Sequence, residues 1–164
     1  MNLPQKASQN QTLLNNFYSA FARHDGKTMA ESYHPDGTFR DPAFGELRGA
    51  AIGLMWQMLI ARSGGKLAIN FGDMTADETH GAANWTATYI FSKTGRKVIN
   101  RVHADFEFKD GLIFHHIDKF DFHRWASQAL GWKGWLLGGT AFLQRKVRQQ
   151  ARQSLDWYIE KLKD

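Results

Sequence analysis

An α+β fold with a curved sheet is predicted by three observations. Apolar residues recur at three- and four-residue spacing in the N-terminal part of the chain. From Leu67 onward the period changes to two. The alternating runs are parted by the turn signals Thr94-Gly95 and Asp110-Gly111. Three helices followed by four antiparallel strands, with one short strand inserted early, make a sheet wrapped against helices.

Each element has its own signal. Ser8-Gln9-Asn10-Gln11 has the S-x-x-Q spacing of a capping box. Leu13, Leu14, Phe17, Tyr18 and Phe21 then predict a helix over 8–23, with Gly26 to end it in the left-handed conformation. A second helix over 27–33 stops before Pro35. Thr38-Phe39-Arg40-Asp41 reads as a short strand closed by Pro42. A third helix covers 49–61, with Ile52, Met55, Trp56 and Leu59 on one face. Alternation then marks Leu67, Ile69 and Phe71, next Ala83, Trp85, Ala87, Tyr89 and Phe91, and next Val102, Ala104, Phe106 and Phe108. A last strand covers 112–122. Helical spacing returns over 124–130, passes through a Gly-punctuated apolar stretch at 132–139, and resumes over 140–162, where Leu143, Val147, Ala151, Leu155, Ile159 and Leu162 form a stripe.

The 164 residues carry a formal net charge of +5, and its distribution divides the chain. Residues 1–122 hold 13 basic and 13 acidic side chains, whereas 123–164 hold 8 and 3. The tail also holds Trp125, Trp132, Trp135 and Trp157. Two parts are expected: a neutral domain over 1–122 and a basic, Trp-rich helical extension over 123–164, packed on the core or on a partner. The lack of cysteine excludes a disulfide scaffold, a thiolate nucleophile and a Cys-ligated metal site. No apolar run approaches the roughly 18 residues a membrane helix needs, and MNLPQKASQNQ lacks a signal-peptide core, so a cytoplasmic location is expected.

A family resemblance rests on four segments: Phe17-Tyr18-Ser19-Ala20-Phe21, His34 through Pro42, Gly49-Ala50-Ala51-Ile52, and Phe106 through Ile113 with His116-Ile117-Asp118-Lys119-Phe120-Asp121. Residues 8–122 resemble the nuclear transport factor 2-like superfamily, nearest to its SnoaL-like and ketosteroid-isomerase-like branches. The resemblance implies a cone, meaning a strongly bent, mixed but mostly antiparallel sheet closed by three N-terminal helices. It also implies an apolar pocket at the open end and homodimerisation through the outer sheet face, where Arg101, His103, Asp105 and Glu107 are expected. It puts Asp41 where ketosteroid isomerases keep their general base. Phe17 stands at the position of the oxyanion-hole phenol, with Tyr18 beside it, and Ala104 stands at the position of the protonated aspartic acid. Both donors are missing, so steroid isomerisation by the standard route is not expected.

Alternation in the last strand puts Phe114, His116, Asp118 and Phe120 on one face, and SnoaL-like cyclases resemble this in using late-strand Asp and His. Asp41, His116 and Asp118 are therefore the candidate catalytic residues. Phe17, Tyr18, Met55, Trp56, Ala104, Phe106, Phe114 and Phe120 are the candidate pocket lining. Plainer roles stand beside these: Asp41 as a turn residue before Pro42, His116 and Asp118 as an internal structural pair, Tyr18 as helix packing. No metal site, cofactor or nucleic-acid motif is expected. The ligand would be a small hydrophobic molecule, bound by a cofactor-independent isomerase, cyclase or dehydratase, or by a non-catalytic binding or scaffold domain. For the tail, packing on the core stands beside a weak membrane-surface contact through 132–148.

Overall fold

The computed structural model describes residues 3–163. Helix α1 (Leu3–Ala22) buries Leu14, Phe17, Tyr18 and Phe21, the face that their spacing predicts. It begins well before Ser8, which lies inside the helix with its carbonyl accepting from the Thr12 hydroxyl, so no capping box forms there. Nor does Gly26 end α1. His24 takes the left-handed φ of 62° instead, and Gly26 opens α2 (Gly26–Glu31). A Cβ on Gly26 would stand 2.9 Å from Gln57 Cγ, so glycine here lets α2 lie close on α3 (Ala50–Arg62). Asp25 caps α2 by accepting from the Thr28 N–H at 3.0 Å. Ile52, Met55, Trp56 and Met58 of α3 complete the helical side of the core.

Among the described residues the sheet has six strands: β1 (Tyr33–Asp41), β2 (Gly45–Arg48), β3 (Ala68–Ala76), β4 (His80–Phe91), β5 (Arg96–Lys109) and β6 (Leu112–Lys119). Their order is β2-β1-β6-β5-β4-β3, with β1 parallel to β6 and every other pair antiparallel. The sheet is mixed and curved against the helices, as the sequence predicts. Asp110 and Gly111, with φ of 53° and 75°, form the left-handed pair that joins β5 to β6. Strand β2 is absent from the sequence reading because four residues are too few to show alternation. It forms because Asp41 accepts from the Phe44 N–H at 2.6 Å and folds the chain back on β1.

Strand β1 starts at Tyr33 rather than Thr38, and its pairing with β6 shifts register between those residues. Strand β6 shifts against β5 in the same place: Glu107 faces His115 while Phe108 faces Ile113. Phe114 is thus the extra residue of a β-bulge. Ile113 and His116 both turn inward, and Phe114 packs outside against His34 and His115, with the Lys109 ammonium 4.9 Å from its ring centre. The expected grouping of Phe114 with His116 and Asp118 fails for this reason, and Phe114 does not line the interior.

The last three helices are α4 (Phe122–Leu130), α5 (Trp132–Leu137) and α6 (Ala141–Lys161). β6 pairs no further along β5 than His103, and α4 lies beside the unpaired length. There the Gln128 amide accepts from the Ile99 N–H at 2.8 Å and donates to its carbonyl at 3.2 Å. Trp125, Ala126 and Ala129 bury Val98 beneath them. The stripe of α6 packs as predicted through Leu143, Val147, Ala151, Leu155 and Ile159, while Leu162 stays exposed. On the outer sheet face His103 bonds Asn84 and Asp105, and Lys119 bonds Asp105 at 2.6 Å.

Candidate active site

The inner wall of the bent sheet carries a chain of polar groups through an aromatic interior. His116 and Asp118, two apart on β6, point inward and are both buried. His116 Nε2 lies 2.8 Å from Asp118 Oδ1, and its Nδ1 lies 2.7 Å from the Tyr33 hydroxyl. Trp56 donates its indole N–H to Tyr33 at 3.0 Å, and Trp85 donates to Asp118 at 3.3 Å. The donors assign the protons: Trp56 to Tyr33, Tyr33 to His116 Nδ1, and His116 Nε2–H to the carboxylate. A neutral imidazole satisfies every one of these atoms. Around the ring stand Phe17, Phe39, Trp56 and Phe106, the last with its centre 4.3 Å away.

Asp41 sits on the same wall, at the rim. It follows the inward-facing Phe39 by two residues on β1 and turns the same way. Some of its surface stays accessible, yet it lies under α6, where Gln144 donates to the Pro42 carbonyl at 3.5 Å and Arg152 donates to the Phe44 carbonyl at 2.9 Å and to the Glu46 carbonyl. Burial pushes the Asp41 carboxyl up to about 7. The Asp118 charge adds to the rise, while the Phe44 and Ala43 N–H groups and the Arg148 guanidinium oppose it. The structure therefore brings His116 and Asp118 into contact and holds Asp41 within reach of the Asp118 charge, without a direct bond.

Tyr18 is enclosed by Phe71, Trp85 and Phe106, and its buried hydroxyl has no hydrogen-bond partner among the described residues. Burial raises it well above the usual phenol range, with the Asp118 charge as a second cause. Among the expected lining residues Phe17, Tyr18, Met55, Trp56, Ala104 and Phe106 are core residues, and Phe120 packs against both halves of the core. Ala104 stands opposite Asp118 across β5 and β6. Tyr33 and Trp85 are the members that the sequence reading missed. Tyr33 falls at a predicted helix end, and Trp85 passes for one more apolar residue of an alternating strand. Helix α6 packs beside β2 and α3 and sets Leu155 into the core. A groove of about 420 Å³ runs between β2 and α6, lined by Leu47, Arg152, Leu155 and Ile159 among others, beside the polar chain and not over it.

The model of the SnoaL-like domain matches residues 14–116. An epoxide hydrolase of the LEH-like type from M. tuberculosis has 21% identity and a TM-score of 0.59, over 80% of this chain and 95% of its own. A candidate polyketide cyclase from Xanthomonas campestris pv. campestris has 18% identity and a TM-score of 0.62, over 76% and 98%. An NTF-2 like protein of unknown function from Burkholderia xenovorans LB400 has 18% identity and a TM-score of 0.56, over 69% and 83%. At such identities the likeness is one of fold. No curated protein matches the sequence. No helix among the described residues is long and apolar enough to cross a membrane.

Proposed function

Because the chain belongs to the SnoaL-like domain family, we propose that it binds a small hydrophobic molecule inside the cone and moves a proton on it with its own carboxylates and imidazole. The observation that carries this reading is the inner wall itself, where Asp41, His116 and Asp118 share an interior that is otherwise apolar and rich in aromatic rings. Charged groups are rarely put there without use. A carboxyl near 7 is protonated in about half the molecules at neutral pH, so Asp41 can take a proton from one carbon and return it to another. The Tyr18 hydroxyl, unpartnered among the described residues, would donate to a ligand oxygen. The reading covers a domain at 1–122 that holds the chemistry, an extension at 123–164 that closes it, and an isomerase, cyclase or dehydratase type of reaction in the cytoplasm.

The test is exchange of the acidic carbon-bound protons of a bicyclic ketone such as 2-tetralone for deuterium, followed by NMR. The protein is expected to accelerate exchange, and Asp41→Asn to remove about 10²-fold or more of the acceleration. Equal rates in the two proteins would overturn the role of Asp41. A second reading, a binding domain without catalysis, is favoured by the packing of α6, which sets Leu155 into the core and ties Arg152 to the Phe44 carbonyl. Tetralone quenching of tryptophan emission with no gain in exchange would select it.

The same proposal includes a homodimer through the outer sheet face. Ile90, Ile99 and Ile117 are exposed on β4, β5 and β6, around the network of His103, Asp105 and Lys119. Light scattering is expected to give twice the chain mass, and Ile99→Glu with Ile117→Glu to give monomers. A monomeric wild-type chain would remove this part of the reading.

A further inference from the structure

We propose that α5 and the start of α6 form a docking surface for an anionic membrane, separate from the cone and independent of its chemistry. Within residues 132–142 five large apolar side chains stand in solvent: Trp132 at 71% exposure, Trp135 at 66%, Leu136 at 61%, Phe142 at 59% and Leu137 at 38%. A contiguous exposed apolar patch of this kind on a folded domain marks an interaction site. Its outward direction is built in. A Cβ on Gly134 would run into the Ala126 carbonyl, so glycine seats α5 flush on α4 and turns the two tryptophans away from the core. The His123 ring N–H donates to the Trp135 carbonyl at 2.7 Å and fixes the same orientation.

Charge selects the occupant. Between Asp121 and Asp156 the sequence has no acidic residue and six lysines or arginines. Lys133 and Lys146 hold their ammonium groups 5.8 Å and 5.9 Å from the ring centres of Trp132 and Phe142, and Arg145 stands exposed one turn beyond Phe142. Tryptophan and leucine ringed by lysine is the composition that seats in the headgroup layer, with rings at the acyl boundary and ammonium groups on lipid phosphates. A second copy of this chain would oppose one cationic patch to another. A nucleic acid would leave the leucine and phenylalanine faces unused.

The experiment is co-sedimentation of the full chain with vesicles of phosphatidylcholine alone or with about 30% phosphatidylserine. Binding to the anionic vesicles is expected to exceed binding to the neutral ones by about tenfold, and to fall sharply when salt is raised, since exposed charges are screened. Trp132→Ser with Trp135→Ser is expected to lose about tenfold while keeping the far-ultraviolet dichroism, because both side chains stand outside the core. Lys133→Glu with Lys146→Glu should abolish the preference for anionic lipid. The proposal is overturned by equal binding to both vesicles, by wild-type binding in the double tryptophan variant, or by binding to neither vesicle. Retention of a DNA duplex without vesicle binding, or a change of oligomer size in the tryptophan variant, likewise assigns the patch to another partner.

Discussion

Replacing His116 by leucine is expected to cost about 2–4 kcal/mol of stability, because the buried Asp118 carboxylate loses a hydrogen-bond donor and the Tyr33 hydroxyl loses its acceptor. Asp118 would keep the Trp85 N–H and lose its 2.8 Å bond to the imidazole. Tyr33 would lose its acceptor in the same step, while Trp56 still donates to it. An unmade buried hydrogen bond costs about 1–3 kcal/mol, so the Tyr33 contribution alone is measurable. Replacing His116 and Asp118 together removes the charge along with the partner. The double variant should therefore lose less than the sum of the single losses, by about 1 kcal/mol or more. Urea unfolding at constant slope measures all three. Additive single losses would show that the two residues do not act as a pair.

Asp41→Asn is expected to act in the opposite direction and to make the protein more stable in alkaline solution. The unfolded chain gives up the Asp41 proton near 3.8, and the folded chain keeps it until about 7. Between those values the native state holds the extra proton, so stability falls as pH rises through the window and is level above it. The full span corresponds to a penalty on the order of 4 kcal/mol, and the surface that Asp41 keeps toward water lowers it to about 1–3 kcal/mol. Asparagine retains an oxygen for the Phe44 N–H and carries no charge to bury. Its stability should change little between pH 5 and pH 8 on account of this site, with the gain over wild type partial at pH 5 and complete at pH 8. Parallel curves for the two proteins would show that Asp41 ionises in the fold as it does in water. Paired with lost proton exchange, the gain would mark Asp41 as a position where stability is given up for chemistry.

The sequence carried the sheet and helices far better than it carried the site. Period-two alternation placed Ala83 through Phe91 and Val102 through Phe108 on the inner wall, since a half-buried strand has only two faces. The same rule failed at Phe114, where a bulge adds one residue that alternation has no means to register. His116 and Asp118 were legible as inward residues because they lie beyond that bulge. Asp41 was legible only through the family resemblance, since the Asp-Pro junction by itself reads as a turn. Tyr33 was not, because its hydroxyl meets His116 only when β1 lies parallel to β6, a pairing across 83 positions. The packing of α6 was legible from its stripe, and where it packs was not, because periodicity names a buried face without naming what buries it.

The hold of Gln128 on Ile99 bears on the fate of the protein at high concentration. A strand left without a neighbour displays a row of free N–H and C=O groups, and such a row is a template on which a second chain can add a strand. Past His103, β5 would be that template, with Val98 and Ile99 to make it sticky. One side-chain amide, copying both bonds of a peptide unit, occupies the middle of the gap, while Arg96 and Thr94 bind the Gln128 and Ala129 carbonyls at its end. Helix α4 thereby serves as a guard against aggregation, sealing the open length of β5 through the side chain of Gln128.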